Sequence, residues 1–205
     1  MSVRLPHPAR LATLAGILVL AWCGVARAVT VDQAATQLAG RPMVVQAYAV
    51  DSQQPVAISA ASLAGLPVPR VPCPTPAPGV ECIAESNLNG HATTPSGTGW
   101  DDTIWLAGDR YGAVRDALAP GKTPRYLRWA RSHWQLVGAA FLTLEHEAMH
   151  VRLDSTDEGV VECAAIRNVW QAIRLAHLPG SLAAMVLYGA QVEHDHEAGT
   201  YRAGC

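Results

Sequence analysis

The chain has 205 residues, half of them hydrophobic and 16% charged, with no long polar tract and no internal repeat, which excludes a disordered or solenoid protein and suits one globular domain. Three of its 15 basic residues (Arg4, Arg10, Arg27) lie in the first 28 positions, where no acid occurs, so the remainder sets 12 basic residues against 17 acidic ones. That balance, without a basic stripe along the sequence, argues against nucleic acid as a partner.

At the N-terminus, Arg4 and Arg10 precede an apolar run from Leu11 to Val25, and Ala26-Arg27-Ala28 has the small-x-small form of a signal-peptidase site. Residues 1–28 are therefore expected to be a signal peptide, with a single domain over 29–205. The apolar run, roughly 15 residues, is shorter than the roughly 20 that span a bilayer. An uncleaved membrane anchor is the alternative, and only then would the chain be membrane-attached. Either way it is expected to be exported, as a secreted or cell-envelope protein. Cys23 would leave with the leader, so Cys73, Cys82, Cys163 and Cys205 remain for two disulfides in an oxidising compartment. Three pairings are formally possible. The short Pro-rich loop from Pro74 to Gly79 favours Cys73 with Cys82, which leaves Cys163 with Cys205.

Between Val29 and Leu106 short apolar runs alternate with turn formers. Met43 to Val50, Pro55 to Ile58 and Thr103 to Leu106 read as strands, whereas Gly65 to Gly79, with six prolines, and Ser86 to Gly99 read as loops. Thr103 to Leu106 is expected at a sheet edge. From Asp109 onward the pattern is helical: Asp109 to Leu118, a break at Ala119-Pro120-Gly121, a long segment from Tyr126 to Leu153, then Asp157 to Ala176 and Ser181 to Val192. In the long segment Leu136, Val137, Ala140, Phe141, Leu144, Ala148 and Met149 predict one apolar helix face, and Ser155 or Thr156 is placed to cap the next helix. The expected fold is α+β, a strand-and-loop region packed on a helical half.

His146 and His150 stand four residues apart with no glycine or proline between them. On a helix they share a face one turn apart, so two imidazoles can reach one metal ion. Glu147, beside the first histidine, is placed to take a proton from water at that metal without binding it. A catalytic zinc needs a third protein ligand, and Glu158 and Glu162 lie one turn apart on the next helix. One can complete the metal site while the other accepts a hydrogen bond from a ligand histidine. Ser155-x-x-Glu158 also has the form of a capping box, which would hand the metal to Glu162. In the tail, Glu193-His194-Asp195-His196-Glu197 alternates histidine and acid. If Cys205 is tied to Cys163, that tail is drawn beside Glu162, where His196 or Tyr201 would donate to an oxyanion.

The stretch from Thr143 to Ala165 resembles the two-helix core of the zincin metallopeptidases, in the branch where His-Glu-x-x-His is followed by a glutamate on the next helix. In several members that glutamate binds zinc and an acid one turn later supports a histidine. The resemblance thus implies one Zn2+ held by His146, His150 and Glu158, with Glu162 supporting a histidine and Glu147 as general base. Asp157-Glu158, Glu162-Cys163 and the C-terminal Tyr201-Arg202-Ala203-Gly204-Cys205 are similar to small exported bacterial proteins classed as metallopeptidases. It further implies a small zincin-like domain that hydrolyses amide bonds in a peptide or protein substrate. Two other readings remain at this stage: a non-catalytic zinc-stabilised binding protein, and a metallohydrolase acting on a non-peptide substrate.

Overall fold

Residues 28–60, 68–74, 76–93, 100–196 and 205 are described by the computed structural model. The predicted leader, apart from Ala28, lies outside them. The fold is α+β. In chain order come α1 (Val31–Ala39), β1 (Val44–Tyr48), β2 (Pro55–Ser59), β3 (Arg70–Val71), β4 (Val80–Ala84), β5 (Gly90–Thr93) and β6 (Trp100–Ala107). Five helices follow: α2 (Gly108–Leu118), α3 (Pro124–Ser132), α4 (Trp134–Leu153), α5 (Glu158–Leu175) and α6 (Gly180–His196).

One sheet has the order β1-β6-β5, with β1 parallel and β5 antiparallel to β6. The expected edge segment Thr103 to Leu106 is instead part of the central strand β6, paired on both sides, and β5 forms the edge. The sequence shows four good strand formers there and nothing of what pairs with them. The second sheet, β2-β4-β3, is antiparallel. Strands β3, β4 and β5 lie in or next to segments read as loops. Apart from Gly90, which opens β5 and pairs with Leu106, their prolines and glycines flank the ladders, and strands this short give too little alternation to detect.

The N-terminal region is not only strand and loop, because α1 precedes the first strand. The Thr30 hydroxyl accepts from the Gln33 amide while the Gln33 side chain returns to the Thr30 N–H, a reciprocal capping box, and Gly40 closes the helix at φ 75°. Asp32 Oδ1 then accepts the Val45 amide at 2.8 Å and ties α1 to β1. The long segment from Tyr126 to Leu153 is two helices rather than one. Ser132 Oγ bonds back to the Arg128 and Trp129 carbonyls at 3.3 and 2.9 Å, and the chain leaves helical geometry at His133 (ψ 30°) before α4 begins.

α4 organises the rest. Every residue from Val137 to Val151 is buried, so the helix is covered all round rather than on one face. α5, α6, α1, α2 and the first sheet all pack on it. Contact with α6 requires small residues. A Cβ on Gly138 would overlap the Val186 carbonyl oxygen and the Ala190 amide, and one on Gly189 would come within 2.6 Å of the Trp134 carbonyl oxygen. Two disulfides join Cys73 to Cys82 and Cys163 to Cys205, with Cα atoms 5.2 and 5.1 Å apart. Both are compatible with an oxidising compartment. Among the described residues no helix is long and apolar enough to cross a membrane.

Candidate metal centre

Helical spacing on α4 places His146 and His150 one turn apart, and their Nε2 atoms approach to 3.0 Å. The Glu158 carboxylate reaches both from the start of α5, its Oε2 lying 3.1 Å from His146 Nε2 and 3.3 Å from His150 Nε2. These three residues form a group able to hold a metal ion. Tetrahedral ligands at about 2.0 to 2.1 Å from zinc lie about 3.3 Å from one another, close to the separations found here.

The rest of each ring is fixed from behind. His150 Nδ1 donates to the Ser155 carbonyl at 2.8 Å, so its proton is on Nδ1 and its Nε2 lone pair faces the group. His146 Nδ1 donates to Glu162 Oε2, also at 2.8 Å. In the neutral ring this likewise leaves an Nε2 lone pair facing inward. Two lone pairs at 3.0 Å repel unless a cation stands between or beside them. Burial pushes the His146 pKa down, but its hydrogen bonds to Glu158 and Glu162, with the charge of Glu147, outweigh this and hold it well above its ordinary value. Burial likewise would raise Glu158, yet its bonds to His146 and His150 keep it far below the usual carboxylate range. The arrangement has a built-in demand for positive charge, met by a proton or by a metal.

Asp157, not Ser155 or Thr156, caps α5, its side chain accepting the Val160 amide at 3.1 Å. Ser155 Oγ only receives the Asp157 N–H. Glu158 therefore stands at the first helical position, not the third, so no capping box with Ser155 forms and its carboxylate turns to the histidines. Asp154 ends α4 in the left-handed region at φ 49°, which Asp tolerates better than most residues. Its Oδ1 receives the Trp100 indole N–H at 2.9 Å, and the Trp100 ring stacks on His150 with centroids 4.9 Å apart. The start of β6 thus forms a wall of the site.

Glu147 is 6% exposed, and among the described residues no group hydrogen-bonds to its carboxylate. Burial raises its pKa, partly opposed by His146 and His150. It is thus kept close to the three ligand candidates yet free to exchange a proton. Tyr48 lies within reach of its charge. Burial first, then the charge of Glu147, pushes the phenol pKa up, and the hydroxyl donates to the Leu88 carbonyl. His91, within reach of Glu147's charge, bonds Glu85 at 3.2 Å through Nε2, while its buried Nδ1 has no partner among the described residues.

The tail is brought in, but by a different histidine. His194 Nδ1 donates to Glu162 Oε1 at 2.8 Å, so one carboxylate joins α4, α5 and α6 through two histidines. His196 does not face the site. Two residues on a helix turn about 200°, and its ring is exposed with Nδ1 against the Val192 carbonyl. Tyr201 lies outside the described residues. Tyr48, His91 and Trp100 had no signal of their own in the sequence, since they come from strands read only as apolar runs or loops. In comparisons with known proteins the chain matches no family model, no curated protein and no solved structure, so what it does must be argued from its own side chains.

Proposed function

We propose that the chain is a zinc-dependent metallohydrolase of the zincin kind, cleaving amide bonds in peptides or proteins outside the cytoplasm. The observation that carries this reading is the convergence of His146, His150 and Glu158 beside a buried carboxylate, Glu147, to which no group among the described residues hydrogen-bonds. His146, His150 and Glu158 would hold one zinc ion, with Glu162 and Ser155 orienting the rings. Bound zinc would supply Lewis acidity toward a water and the substrate carbonyl. Glu147 would take the proton from the water and return it to the departing amine. Its raised pKa suits both halves of that exchange. The edge strand β5 packs on α4, with Gly90 tight against Thr143, and offers backbone groups along which an extended peptide would lie. The two disulfides agree with an exported protein.

The test is Glu147→Gln. Zinc content and thermal stability are expected to stay near wild type, while hydrolysis of a peptide library falls by about 100-fold or more. Full activity in this variant would overturn the mechanism. Wild-type protein that binds zinc but cleaves nothing would favour the zinc-stabilised binding protein instead.

A further inference from the structure

Lys122, Arg125, Arg128, Arg131, Arg167 and Arg174 fall in two stretches, 117–144 and 163–192, that contain no Asp or Glu. Scattered along the sequence they read as no stripe, but Lys122, Arg167 and Arg174 line two grooves that share His177, and α3 reaches the first of these through Leu127. Arg125, Arg128 and Arg131 project from α3 at three-residue steps, all exposed. Lys122 shares a shallow groove with Leu127 and His177, and His177 also lines a wider groove walled by Arg167, Trp170 and Arg174 of α5. Among the described residues no carboxylate pairs with any of the six cations. The nearby Asp116 is paired with Arg115.

Three further observations concern what this face meets. Large amphipathic side chains are exposed around it: Trp170 is 42% exposed, and Tyr188, 62% exposed, stacks on Trp134 at the start of α4. Trp and Tyr with Lys and Arg form the side-chain set that favours the headgroup level of a bilayer. Ala28, which follows the apolar run Leu11–Val25, lines the Lys122 groove, so the chain enters the fold at this end. The metal centre lies at the other end. α5 begins there with Glu158 and finishes at the basic face, α6 begins near that face and returns to the centre with His194. Along α4, twelve residues separate Trp134 from His146, about 18 Å of helix.

We propose that this end of the molecule docks on an anionic phospholipid surface, its Lys and Arg side chains on lipid phosphates and Trp170 and Tyr188 at headgroup level. The metal centre then faces away from the bilayer, open to soluble substrate. Each basic residue near an anionic leaflet strengthens partitioning by up to about fivefold, so six unpaired ones make a salt-sensitive docking face without insertion of any helix of the fold.

The test is co-sedimentation of the full chain with vesicles of phosphatidylglycerol and phosphatidylcholine, compared with phosphatidylcholine alone. Every variant carries the same N-terminus, so any insertion of the apolar leader cancels in the comparison. Wild type is expected to partition at least about tenfold more strongly onto the anionic vesicles, an advantage lost by about 0.5 M salt. R125Q/R128Q/R131Q and R167Q/R174Q should each lose most of it, whereas R41Q/R70Q, which removes two charges paired with Asp102 and Glu81 away from this face, should keep it. Melting temperatures confirm that each variant is folded. Equal binding to both vesicle types, or equal loss in the control, would overturn the proposal. So would face variants that bind vesicles as wild type does but lose self-association or binding to double-stranded DNA. No step reads hydrolysis, so this docking face stands or falls separately from the zinc reading.

Discussion

Glu162 is fully buried, and its two oxygens are taken by histidines from two different helices. Glu158, by contrast, faces the Nε2 atoms of both α4 histidines. If His146, His150 and Glu158 hold zinc as proposed, Glu158→Ala is expected to lose it, as one of the three proposed ligands, when zinc content is measured after dialysis. Glu162→Ala should retain it with affinity about 10 to 100 fold weaker, and His194→Ala should weaken it less, since His146 keeps its carboxylate. The reverse pattern would make Glu162 the ligand. One position back along α4, Glu145 is 1% exposed and its Oε2 has no partner among the described residues. Burial raises its pKa from 4.5 to about 7, with Arg152 pulling it down. A native pKa above the unfolded one means that stability is complete below about pH 4.5 and is lost as pH rises through about 7. The shift corresponds to on the order of 3 kcal/mol. Glu145→Gln should accordingly raise the melting temperature of the metal-free chain above about pH 8 and change it little near pH 5. The same shift at both pH values would show that Glu145 does not titrate on folding.

At the scale of elements, the α4 and α6 contact depends on missing side chains as much as on apolar ones. Gly138 faces α6 backbone, which cannot turn aside as a side chain would. Gly138→Ala is expected to destabilise the chain by about 3 kcal/mol, at the upper end of overpacking. Gly112, in α2 with nothing near its Cβ position, supplies the control. Gly112→Ala should be neutral or stabilising by up to about 1 kcal/mol from helix propensity alone. Urea denaturation of both variants checks this, and similar losses in the two would show that the close approach is not what matters. The helix boundaries carry a related lesson. Thr30-x-x-Gln33 and Asp157 are caps that the sequence displays, yet α1 was hidden by the short apolar runs that follow it. Asp157 was obscured by two neighbouring hydroxyl residues with equal capping chemistry. The division at His133 was not visible at all, because Ser132 favours a helix interior about as well as many residues until its hydroxyl competes for backbone carbonyls.

For the whole molecule, the two disulfides act on very different spans of chain. Cys73 and Cys82 are separated by 9 positions, Cys163 and Cys205 by 42. Loop-closure entropy then assigns about 2.7 kcal/mol to the first and about 4 kcal/mol to the second. Cys163→Ser with Cys205→Ser should lower the melting temperature more than Cys73→Ser with Cys82→Ser, read by calorimetry under non-reducing conditions. An opposite order would indicate that the Pro-rich loop orders more of the chain than its own length. The second disulfide also lies one residue from Glu162, so its loss should lower zinc affinity as well as stability, an effect the first pair has no route to produce.

Features that depend on neighbours along the chain are legible in the residues alone. Helical periodicity put His146 and His150 on one face with Glu147 beside them, and the four-residue step placed Glu158 and Glu162 together on the following helix. The α+β character followed from the same local patterns. Most relations between elements were left to the tertiary structure, the Cys163–Cys205 pairing excepted, which the cysteine count already favours. The fold turned Glu158 to the two Nε2 atoms and Glu162 to the ring behind, brought His194 rather than His196 to Glu162, stacked Trp100 on His150, made β6 a central strand and set Lys122, Arg167 and Arg174 in two grooves that share His177. The relations at the candidate metal centre are set by the packing of α5 and α6 on an α4 that is buried from Val137 to Val151. The angle at which two helices cross is decided by the shapes of the surfaces that meet, including a Gly138 that matters for the side chain it lacks.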